Sequence, residues 1–341
     1  MAKISKILLA HGSGGRLSHD LVAKEFLPPW QNPILDQLND SAVFSLSSDS
    51  SGPRLAFTTD SYVVKPLFFR GGDIGRLAVC GTVNDLAMVG AKPLYLSASF
   101  VIEEGLPLST MRAVVRSMRK AAAEAGVQIV TGDTKVVEGG AADELFVNTA
   151  GIGLVPTGVA IGGDRAQVGD AIILSGSIGD HGIAVLSRRE GLEFEAAVES
   201  DVAPLNGLVA AMLAASPNVR VLRDPTRGGL ATSLNEIASQ SKVAIQIDER
   251  KIPLKDSVWA ACEMLGFDPL YVANEGKLVA VVAPEDAERL LAVMRATPYG
   301  RESAIIGEVM AEPTGKVLMK TAIGGTRIVH MLVGEMLPRI C

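Results

Sequence analysis

Apolar positions recur along the chain with two different periods, and each period predicts a different kind of element. Alternation at every second position and short β-branched runs are typical of strands, whereas recurrence every three or four residues is typical of amphipathic helices. Asp73 stands where a helix N-cap is needed, and Gly90 and Gly126 stand where helices end. The first half is predicted to contain strands at 54–59, 94–102, 127–130 and 145–154, the last two buried, and helices at 73–89 and 109–125.

The second half repeats this mixture after a Gly-rich segment at 156–169, where we place a domain boundary. Its predicted strands are 171–174, 219–222, 243–247, 278–282, 305–309 and 317–319, and its predicted helices are 183–189, 205–215, 230–239, 257–265 and 285–295. This order indicates an α+β protein with two mixed α/β domains, 1–155 and 156–320. We expect 321–341 to be a mobile tail, with Gly324 and Gly325 as its hinge.

Composition narrows the class of protein. Among 341 residues, 48% are hydrophobic and 21% charged, which excludes a disordered chain. An aromatic content of 4% and a net charge of −6 argue against a nucleic-acid partner. The longest apolar run, 208–215, is too short to span a bilayer, and three cysteines cannot form a disulfide framework. We therefore expect a cytoplasmic protein without a membrane partner.

Aspartates beside small polar residues form the most informative motif. Common nucleotide-binding motifs are missing, since neither Gly-Lys pair, at 276–277 and 315–316, is followed by Ser or Thr. The four histidines lack zinc-ligand spacing. The hard oxygen ligands of these aspartates suit Mg²⁺, although a helix cap or a turn is the commoner role for any single one of them. Asp85 resists that explanation because it lies late in an apolar helix. The aspartates concerned are Asp40, Asp60, Asp85, Asp133 and Asp224.

Two features near the chain ends carry further candidate chemistry. The sequence His-Gly-Ser-Gly-Gly-Arg at 11–16 has glycines whose backbone amides can approach an anion, although a flexible turn is an equal alternative. Cys341 places a nucleophilic thiol on the last residue, where a mobile segment could carry it between sites. Chance placement remains an alternative for Cys341. Cys80 and Cys262 lie in apolar helices and are expected to serve packing.

Together these segments resemble the HypE family of hydrogenase maturation factors. That family belongs to the PurM-like ATP-binding superfamily, with aminoimidazole ribonucleotide synthetase, selenophosphate synthetase and thiamine-monophosphate kinase. The aspartate motifs indicate the superfamily, and the ending Pro-Arg-Ile-Cys at 338–341 indicates the HypE family. The resemblance covers nearly the whole chain. It implies an N-terminal domain that forms a β-barrel across a homodimer, with ATP near the dimer interface.

The resemblance also implies a reaction. A HypF-type carbamoyltransferase places a carbamoyl group on the Cys341 thiol, and this carbamoyl dehydratase then uses ATP and Mg²⁺ to dehydrate it to a thiocyanate. The cyano group passes to iron on a HypC–HypD complex and becomes a cyanide ligand of the [NiFe]-hydrogenase.

Site residues follow from the same resemblance. It assigns catalysis to Cys341, to Glu275 as general base, and to Lys135 as a group that stabilises the developing oxyanion or phosphate. A structural ion pair remains the alternative for Lys135 and Glu275. Metal binding is assigned to Asp40, Asp60, Asp85 and Asp224. Nucleotide binding is assigned to Gly14, Gly15, Asp60, Asp85, Asp133 and Asp224.

Two rival functions are weighed against this one. A selenophosphate synthetase typically carries a reactive cysteine near the Gly-rich loop, but the first cysteine here is Cys80. A metallochaperone that carries iron or nickel on Cys341 would bind metal poorly, because the tail has no second cysteine. ATP hydrolysis that depends on a carbamoylated tail would separate the three.

Overall fold

The computed structural model describes residues 6–46, 52, 54–192, 197–334, 336–337 and 340–341. Pro338 and Arg339, which belong to the ending that carries the resemblance, lie outside the described residues. A short helical segment opens the described chain, with α1 (Arg16–Leu21) and α2 (Leu27–Trp30) joined through a π-helical turn at Val22–Phe26.

The N-terminal domain is a five-stranded sheet covered by two helices. Its strand order is β1-β2-β7-β5-β6, and all pairs are antiparallel except β5 with β6. A two-stranded ribbon, β3 with β4, precedes the first helix. The elements are β1 (Ala42–Ser45), β2 (Arg54–Tyr62), β3 (Phe68–Phe69), β4 (Gly72–Asp73), α3 (Ile74–Met88), β5 (Lys92–Glu103), α4 (Leu108–Ala125), β6 (Gln128–Val137) and β7 (Leu145–Val155).

The C-terminal domain is a seven-stranded mixed sheet with helices, in the strand order β14-β13-β10-β12-β8-β11-β9. Its strands are β8 (Ala171–Leu174), β9 (Val219–Arg223), β10 (Ala244–Asp248), β11 (Val279–Val282), β12 (Ala304–Met310), β13 (Val317–Lys320) and β14 (Thr326–Val329). Its helices are α5 (Asp180–Glu190), α6 (Asn206–Ala215), α7 (Gly229–Gln240), α8 (Asp256–Leu265) and α9 (Ala287–Arg295).

Helix α3 is the central element of the fold, because it packs on the N-terminal sheet and also on α6 of the C-terminal domain. Asp73 caps it by accepting hydrogen bonds from the backbone N–H groups of Gly75 and Arg76. The helix is buried almost throughout, so its sequence is apolar on all sides. Gly81 allows its close approach to β2, since a Cβ there would lie 2.2 Å from the Tyr62 hydroxyl oxygen. This packing directs the last turn of α3, which carries Asp85, toward the space between the domains.

Most predicted elements are confirmed within a few residues, and the two mixed α/β domains are confirmed. The predicted helix at 73–89 is α3, and the predicted strand at 171–174 is β8. Four strands and two helices have no counterpart among the predictions: β1, β3, β4, β14, α1 and α2. Strands β3 and β4 have only two residues each, too few for a period to be visible. Within the described chain no helix is both long and apolar enough to cross a membrane.

The strand predicted at 127–130 is confirmed as the start of β6, but its predicted burial is wrong from Gln128 onward. Strand β6 occupies this region, and its side chains are exposed from Gln128 to Val136. It is the edge strand of the sheet, and within the described part of the chain its outer side has no neighbouring strand. Its apolar side chains therefore do not belong to the hydrophobic core of the single chain.

The glycine pair expected to act as a hinge lies in a hairpin turn. Strand β14 pairs antiparallel with β13, and the turn is closed by a hydrogen bond from the Thr321 N–H to the Gly325 carbonyl oxygen (2.8 Å). Regular structure therefore continues past residue 320. Further along, the N–H of Arg16 donates to the Leu332 carbonyl oxygen (2.8 Å) and the Ser13 hydroxyl to that of Gly334 (2.9 Å). The mobility of 321–341 stays a prediction.

Candidate active site

A polar cavity of about 260 Å³ lies between the two domains. Its lining unites residues that are far apart in the sequence: Asp40, Thr58, Thr59, Asp60, Gly81, Asp85, Asp224, Thr226, Arg227, Glu275 and Cys341. Four predicted metal ligands and two of the three predicted catalytic residues are therefore brought together.

Each acidic side chain reaches the cavity from a different element. Asp60 lies near the end of β2, and Asp85 lies in the last turn of α3. Asp40 precedes β1, Asp224 follows β9 directly, and Glu275 lies in the loop before β11. Both domains thus contribute carboxylates to one small volume.

The proximity of these carboxylates changes their proton affinity. Burial raises the pKa of Asp85 well above its ordinary value, and repulsion from Asp224 and Asp60 raises it further. The Thr58 hydroxyl donates a hydrogen bond to Asp85 Oδ2 (2.8 Å), which opposes that rise. Burial also raises the pKa of Asp224 to about 8, with repulsion from Asp40 as the next cause. At neutral pH these raised pKa values favour protonation of Asp85 and Asp224, because the surrounding protein compensates poorly for several carboxylate charges in one small volume.

Asp40 differs from the other aspartates because it has a cationic partner. The buried guanidinium of Arg223 forms a salt bridge and hydrogen bond with Asp40 Oδ1, and it also donates to the Leu38 carbonyl oxygen (2.9 Å). Arg223 belongs to β9, so this pair links the segment before β1 to the C-terminal domain.

Glu275 is held in place through its backbone while its side chain stays unpaired. Asp201 accepts hydrogen bonds from the N–H groups of Glu275 (3.1 Å) and Gly276 (3.3 Å), and it pairs with Lys277 at 3.2 Å. Burial, followed by repulsion from Asp224, raises the pKa of Glu275. Its Oε1 atom is buried and has no hydrogen-bond partner within the described residues. A carboxyl group with raised pKa and a free oxygen is suited to accept a proton from a bound group.

Cys341 lies in the cavity next to a cation that the sequence analysis did not assign. Burial raises the pKa of the Cys341 thiol to about 12, which attraction to Arg227 opposes and repulsion from Glu275 reinforces. In turn, the proximity of Cys341 is the main cause that raises the pKa of Arg227, so this guanidinium stays charged. Among the described residues, Arg227 is the cation beside the thiol.

The backbone of the tail is also held at the cavity. The N–H of Val63 donates to the main-chain oxygen of Cys341 (3.1 Å), and His181 lies 2.6 Å from the carbonyl oxygen of Ile340. Ile340 itself is buried. The structure therefore represents the tail with its thiol inside the site.

Asp133 and Lys135 lie outside this cavity. Both are on β6, where their side chains are 61% and 68% exposed and pair with each other at 2.7 Å. The hydrogen bond from Lys135 lowers the pKa of Asp133. Within one chain, these two residues form a solvated ion pair.

The Gly-rich loop also contacts protein here. A Cβ on Gly14 would lie 2.5 Å from that of Arg227, and one on Gly15 would lie 2.3 Å from the Leu332 carbonyl oxygen. The loop therefore packs against Arg227 and the tail, and Gly14 and Gly15 are not among the residues that line the cavity.

Sequence reasoning did not assign Arg227 in the cavity, nor Asp201 and His181 beside it. For Arg227 a signal existed, since it follows Asp224 by three residues in the segment Asp-Pro-Thr-Arg-Gly-Gly. For Asp201 and His181 no local pattern distinguishes them from ordinary polar residues.

The donor set fits a divalent cation. Asp60, Asp85 and Asp224 repel one another at the cavity, and a bound cation would offset the charge that raises the pKa values of Asp85 and Asp224. Across the described ranges, no three acidic, histidine or cysteine side chains already form a ligand set around one point. Mg²⁺ commonly takes one or two carboxylates and completes its coordination with water and phosphate oxygens, which agrees with this spacing.

Comparison with known proteins agrees with this architecture. The family models "AIR synthase related protein" match the chain in both domains, the N-terminal model over 38–155 and the C-terminal model over 167–320. "Carbamoyl dehydratase HypE" of Cupriavidus necator is 56% identical over 339 residues, which cover 99% of this chain and 96% of that protein.

Solved structures give the same result. The structure of HypE "in complex with ATP" has a TM-score of 0.82 and 53% identity, and covers 98% of this chain and 100% of the other. A "HypE-HypF complex" structure has a TM-score of 0.86 and 48% identity, and covers 92% of this chain and 99% of the other. Given this identity over nearly the whole length, and a cysteine held among carboxylates between two AIR synthase-related domains, the chain belongs to the HypE family of carbamoyl dehydratases.

Proposed function

We propose that this protein dehydrates a carbamoyl group on its own Cys341 to a thiocyanate, at the expense of ATP, and so supplies the cyanide ligand of the [NiFe]-hydrogenase iron. The observation that carries this proposal is the position of Cys341 in the carboxylate cavity. A thiol carried by the protein itself becomes the substrate only if it can reach the nucleotide site. The names of the relatives support a role in hydrogenase maturation.

The chemistry requires an oxygen to leave an amide carbon. The γ-phosphoryl group of ATP is transferred to the carbamoyl oxygen, and ADP is released. The oxygen then departs as inorganic phosphate while the nitrogen loses both protons, which leaves a C≡N group on sulfur. Phosphoryl transfer depends on positioning and on charge neutralisation.

Glu275 and Arg227 are suited to two parts of this sequence. Glu275 has a buried, unpaired Oε1 and a raised pKa, so it is our candidate base for the nitrogen protons. The permanently charged guanidinium of Arg227 lies beside Cys341, where it can stabilise negative charge on the carbamoyl oxygen or the phosphoryl group.

ATP and Mg²⁺ are the proposed ligands of the acidic side chains. Asp60, Asp85 and Asp224 would hold Mg²⁺, which neutralises the phosphates when it is bound, and Asp40 would support them through its pair with Arg223. An acidic cavity can accept a polyphosphate only with such a cation. The HypE structure with ATP supports the nucleotide assignment. Gly14 and Gly15 would reach the nucleotide only if their loop moved from the tail.

In a homodimer, Asp133 and Lys135 could contribute to nucleotide binding and catalysis. An apolar groove of about 590 Å³ between α4 and the β5–β6 edge is lined by Phe100, Val115, Met118 and Ile129, among others. A second copy of this chain, paired along the same edge into a shared β-barrel, would cover this groove. Asp133 and Lys135 would then lie at the dimer interface, near the nucleotide, and Lys135 could stabilise the developing phosphate there.

The proposed partners are a HypF-type carbamoyltransferase, which loads Cys341, and a HypC–HypD complex, which receives the cyano group. A relative that forms a HypE–HypF complex supports the first of them.

Intact-protein mass spectrometry tests the proposal. The chain is mixed with HypF, carbamoyl phosphate and ATP, and the adduct is purified and supplied with ATP again. We expect a carbamoyl adduct on Cys341 that loses one water only when ATP is added. Cys341→Ala should give no adduct, whereas Cys262→Ala, which removes a cysteine outside the cavity, should behave as the parent. An adduct that stays intact with ATP would contradict the dehydration.

A further inference from the structure

His181 contacts the tail from the first turn of α5. Its Nε2 atom lies 2.6 Å from the carbonyl oxygen of Ile340, the residue before the reactive cysteine. A carbonyl oxygen can only accept, so Nε2 carries the hydrogen and donates it. Together with the N–H of Val63, which donates to the main-chain oxygen of Cys341, this gives two main-chain hydrogen bonds on either side of the thiol-bearing residue.

A second chain of hydrogen bonds fixes which nitrogen of His181 is protonated. The N–H of Val202 donates to Ser200 Oγ (3.2 Å), and this oxygen lies 2.8 Å from His181 Nδ1. Burial lowers the pKa of His181, so the ring is neutral at pH 7. With Nε2 donating to the tail, Nδ1 is an acceptor, and the Ser200 hydroxyl donates to it. Ser200, which can donate to Nδ1 while it accepts from Val202, thus favours the tautomer that can bind the tail.

Packing fixes the plane of the ring and the approach of the tail. Phe69 contacts His181 edge-on, with ring centroids 5.3 Å apart and an interplanar angle of 89°. The next residue, Gly182, lies close to both the protein and the tail, because a Cβ there would lie 2.5 Å from Val272 Cγ1 and 3.0 Å from Leu337 Cδ1. His181 is fully buried with the tail in place, so its hydrogen bond to the tail is shielded from competing water.

We propose that His181, with its tautomer set by Ser200, is a positioning residue that holds the tail backbone and thereby places the Cys341 sulfur in the carboxylate cavity. Its hydrogen bond to the tail is to a main-chain oxygen, so the same hydrogen bond serves the free thiol, the carbamoyl group and the thiocyanate. His181 and Val63 bind the end of the tail through its backbone, so the group attached to the Cys341 sulfur can change without loss of these hydrogen bonds.

The rate of thiol alkylation reports how firmly His181 binds the tail, and it does so independently of the dehydration reaction. Iodoacetamide should reach the Cys341 sulfur faster when the tail leaves the cavity, since that thiol is only partly exposed there and burial raises its pKa, whereas Cys80 and Cys262 are buried in helices. In full-length protein we expect His181→Leu, which keeps bulk but has no donor, to raise the rate of Cys341 alkylation about tenfold, the factor that one hydrogen bond supplies. His181→Gln, whose amide can donate from a similar position, should restore a rate near that of the parent.

For Ser200→Ala we expect an alkylation rate between those of the parent and His181→Leu. The ring remains, but both tautomers become accessible, so the alkylation rate should rise by a factor of about 2–3. Peptide mapping by mass spectrometry shows whether Cys80 and Cys262 stay unmodified. Alkylation of those two residues would report general unfolding, and the His181→Gln variant then provides the valid comparison.

A kinetic measurement extends the inference to the reaction, and this part rests on the proposed function. With the carbamoylated protein and saturating ATP, His181→Leu should slow a single turnover of dehydration about tenfold while the Kd for ATP is unchanged. If the parent protein shows no dehydration, the proposed function fails, but the alkylation result still tests the contact.

The inference is overturned if His181→Leu and His181→Gln alkylate at the rate of the parent. It is equally overturned if both lower the unfolding midpoint to the same extent and raise the alkylation rate equally, because His181 would then act through general stability.

Discussion

Asp224 in the cavity and Asp133 on the β6 edge occur in similar local sequences, with a threonine and a basic residue within three positions of each, yet their environments are opposite. Asp224 is surrounded by Asp40, Asp60 and Asp85, and burial raises its pKa to about 8. Asp133 faces solvent, and its hydrogen bond with Lys135 lowers its pKa.

The difference shows that charge behaviour follows from tertiary neighbours. A carboxylate beside a flexible lysine in water keeps its charge at little cost. A carboxylate forced against other carboxylates stores repulsion that a cation or a proton can relieve. The cavity is therefore built to bind positive charge, whereas the β6 pair has no such need within one chain.

The largest effect should come from removing the candidate base. Glu275→Gln should lower the single-turnover rate of dehydration by about 10²–10⁴, because a buried general base contributes that much. The unfolding midpoint near neutral pH should rise, since the variant removes a buried carboxyl group whose raised pKa costs stability above its ordinary pKa. Glu138→Gln, at an exposed glutamate just beyond β6, is the matched control and should change neither. An undiminished rate in Glu275→Gln would assign the base to another group.

The next effect should be loss of the dimer. Val130 is 57% exposed on β6, and Val130→Glu places a charge in the proposed interface. We expect light scattering to give the mass of a monomer at micromolar concentration, whereas the parent gives that of a dimer. Val168→Glu alters a similarly exposed valine between the domains and should leave the mass unchanged. A monomeric parent would remove the proposed role of β6.

A smaller effect is expected on the pH dependence of stability. The folded-state pKa of Asp224 is about 8 against an ordinary value of 3.8, so the folded protein binds more protons than the unfolded chain between those pH values. Stability should therefore fall as pH rises from about 4 to about 8, with an unfolding midpoint several degrees higher at pH 5 than at pH 8. Asp224→Asn should flatten this dependence. Asp133→Asn should leave it intact, because the lowered pKa of Asp133 acts only at more acidic pH.

The smallest effect should be that of the exposed ion pair on stability. Lys135→Ala should leave the unfolding midpoint unchanged within measurement error, since both partners are well solvated. In the dimer it should still lower the rate of dehydration. A lower midpoint with an unchanged rate would mean that Lys135 is only part of a structural ion pair.

The helices that the sequence predicted well are those whose ends are marked by local signals, such as capping residues and glycines. The N-cap at Asp73 and the glycine that ends α4 act within a few residues, so sequence patterns located both helices closely. The Asp85 motif stood out because a carboxylate late in an apolar helix needs a tertiary reason. Very short elements such as β3 and β4 carry too few residues for any period to be visible.

The sequence by itself determined the two mixed α/β domains, the acidic chemistry of the site and the single thiol at residue 341. Only the tertiary structure decided which aspartates meet, since Asp40 and Asp224 are distant in sequence and converge through the packing of both domains. It also decided that Arg227 faces the thiol, that His181 holds the tail and that the glycine pair at 324–325 closes a hairpin. Capping and periodicity are local, but charge coupling depends on distance in space, which only the packed chain defines.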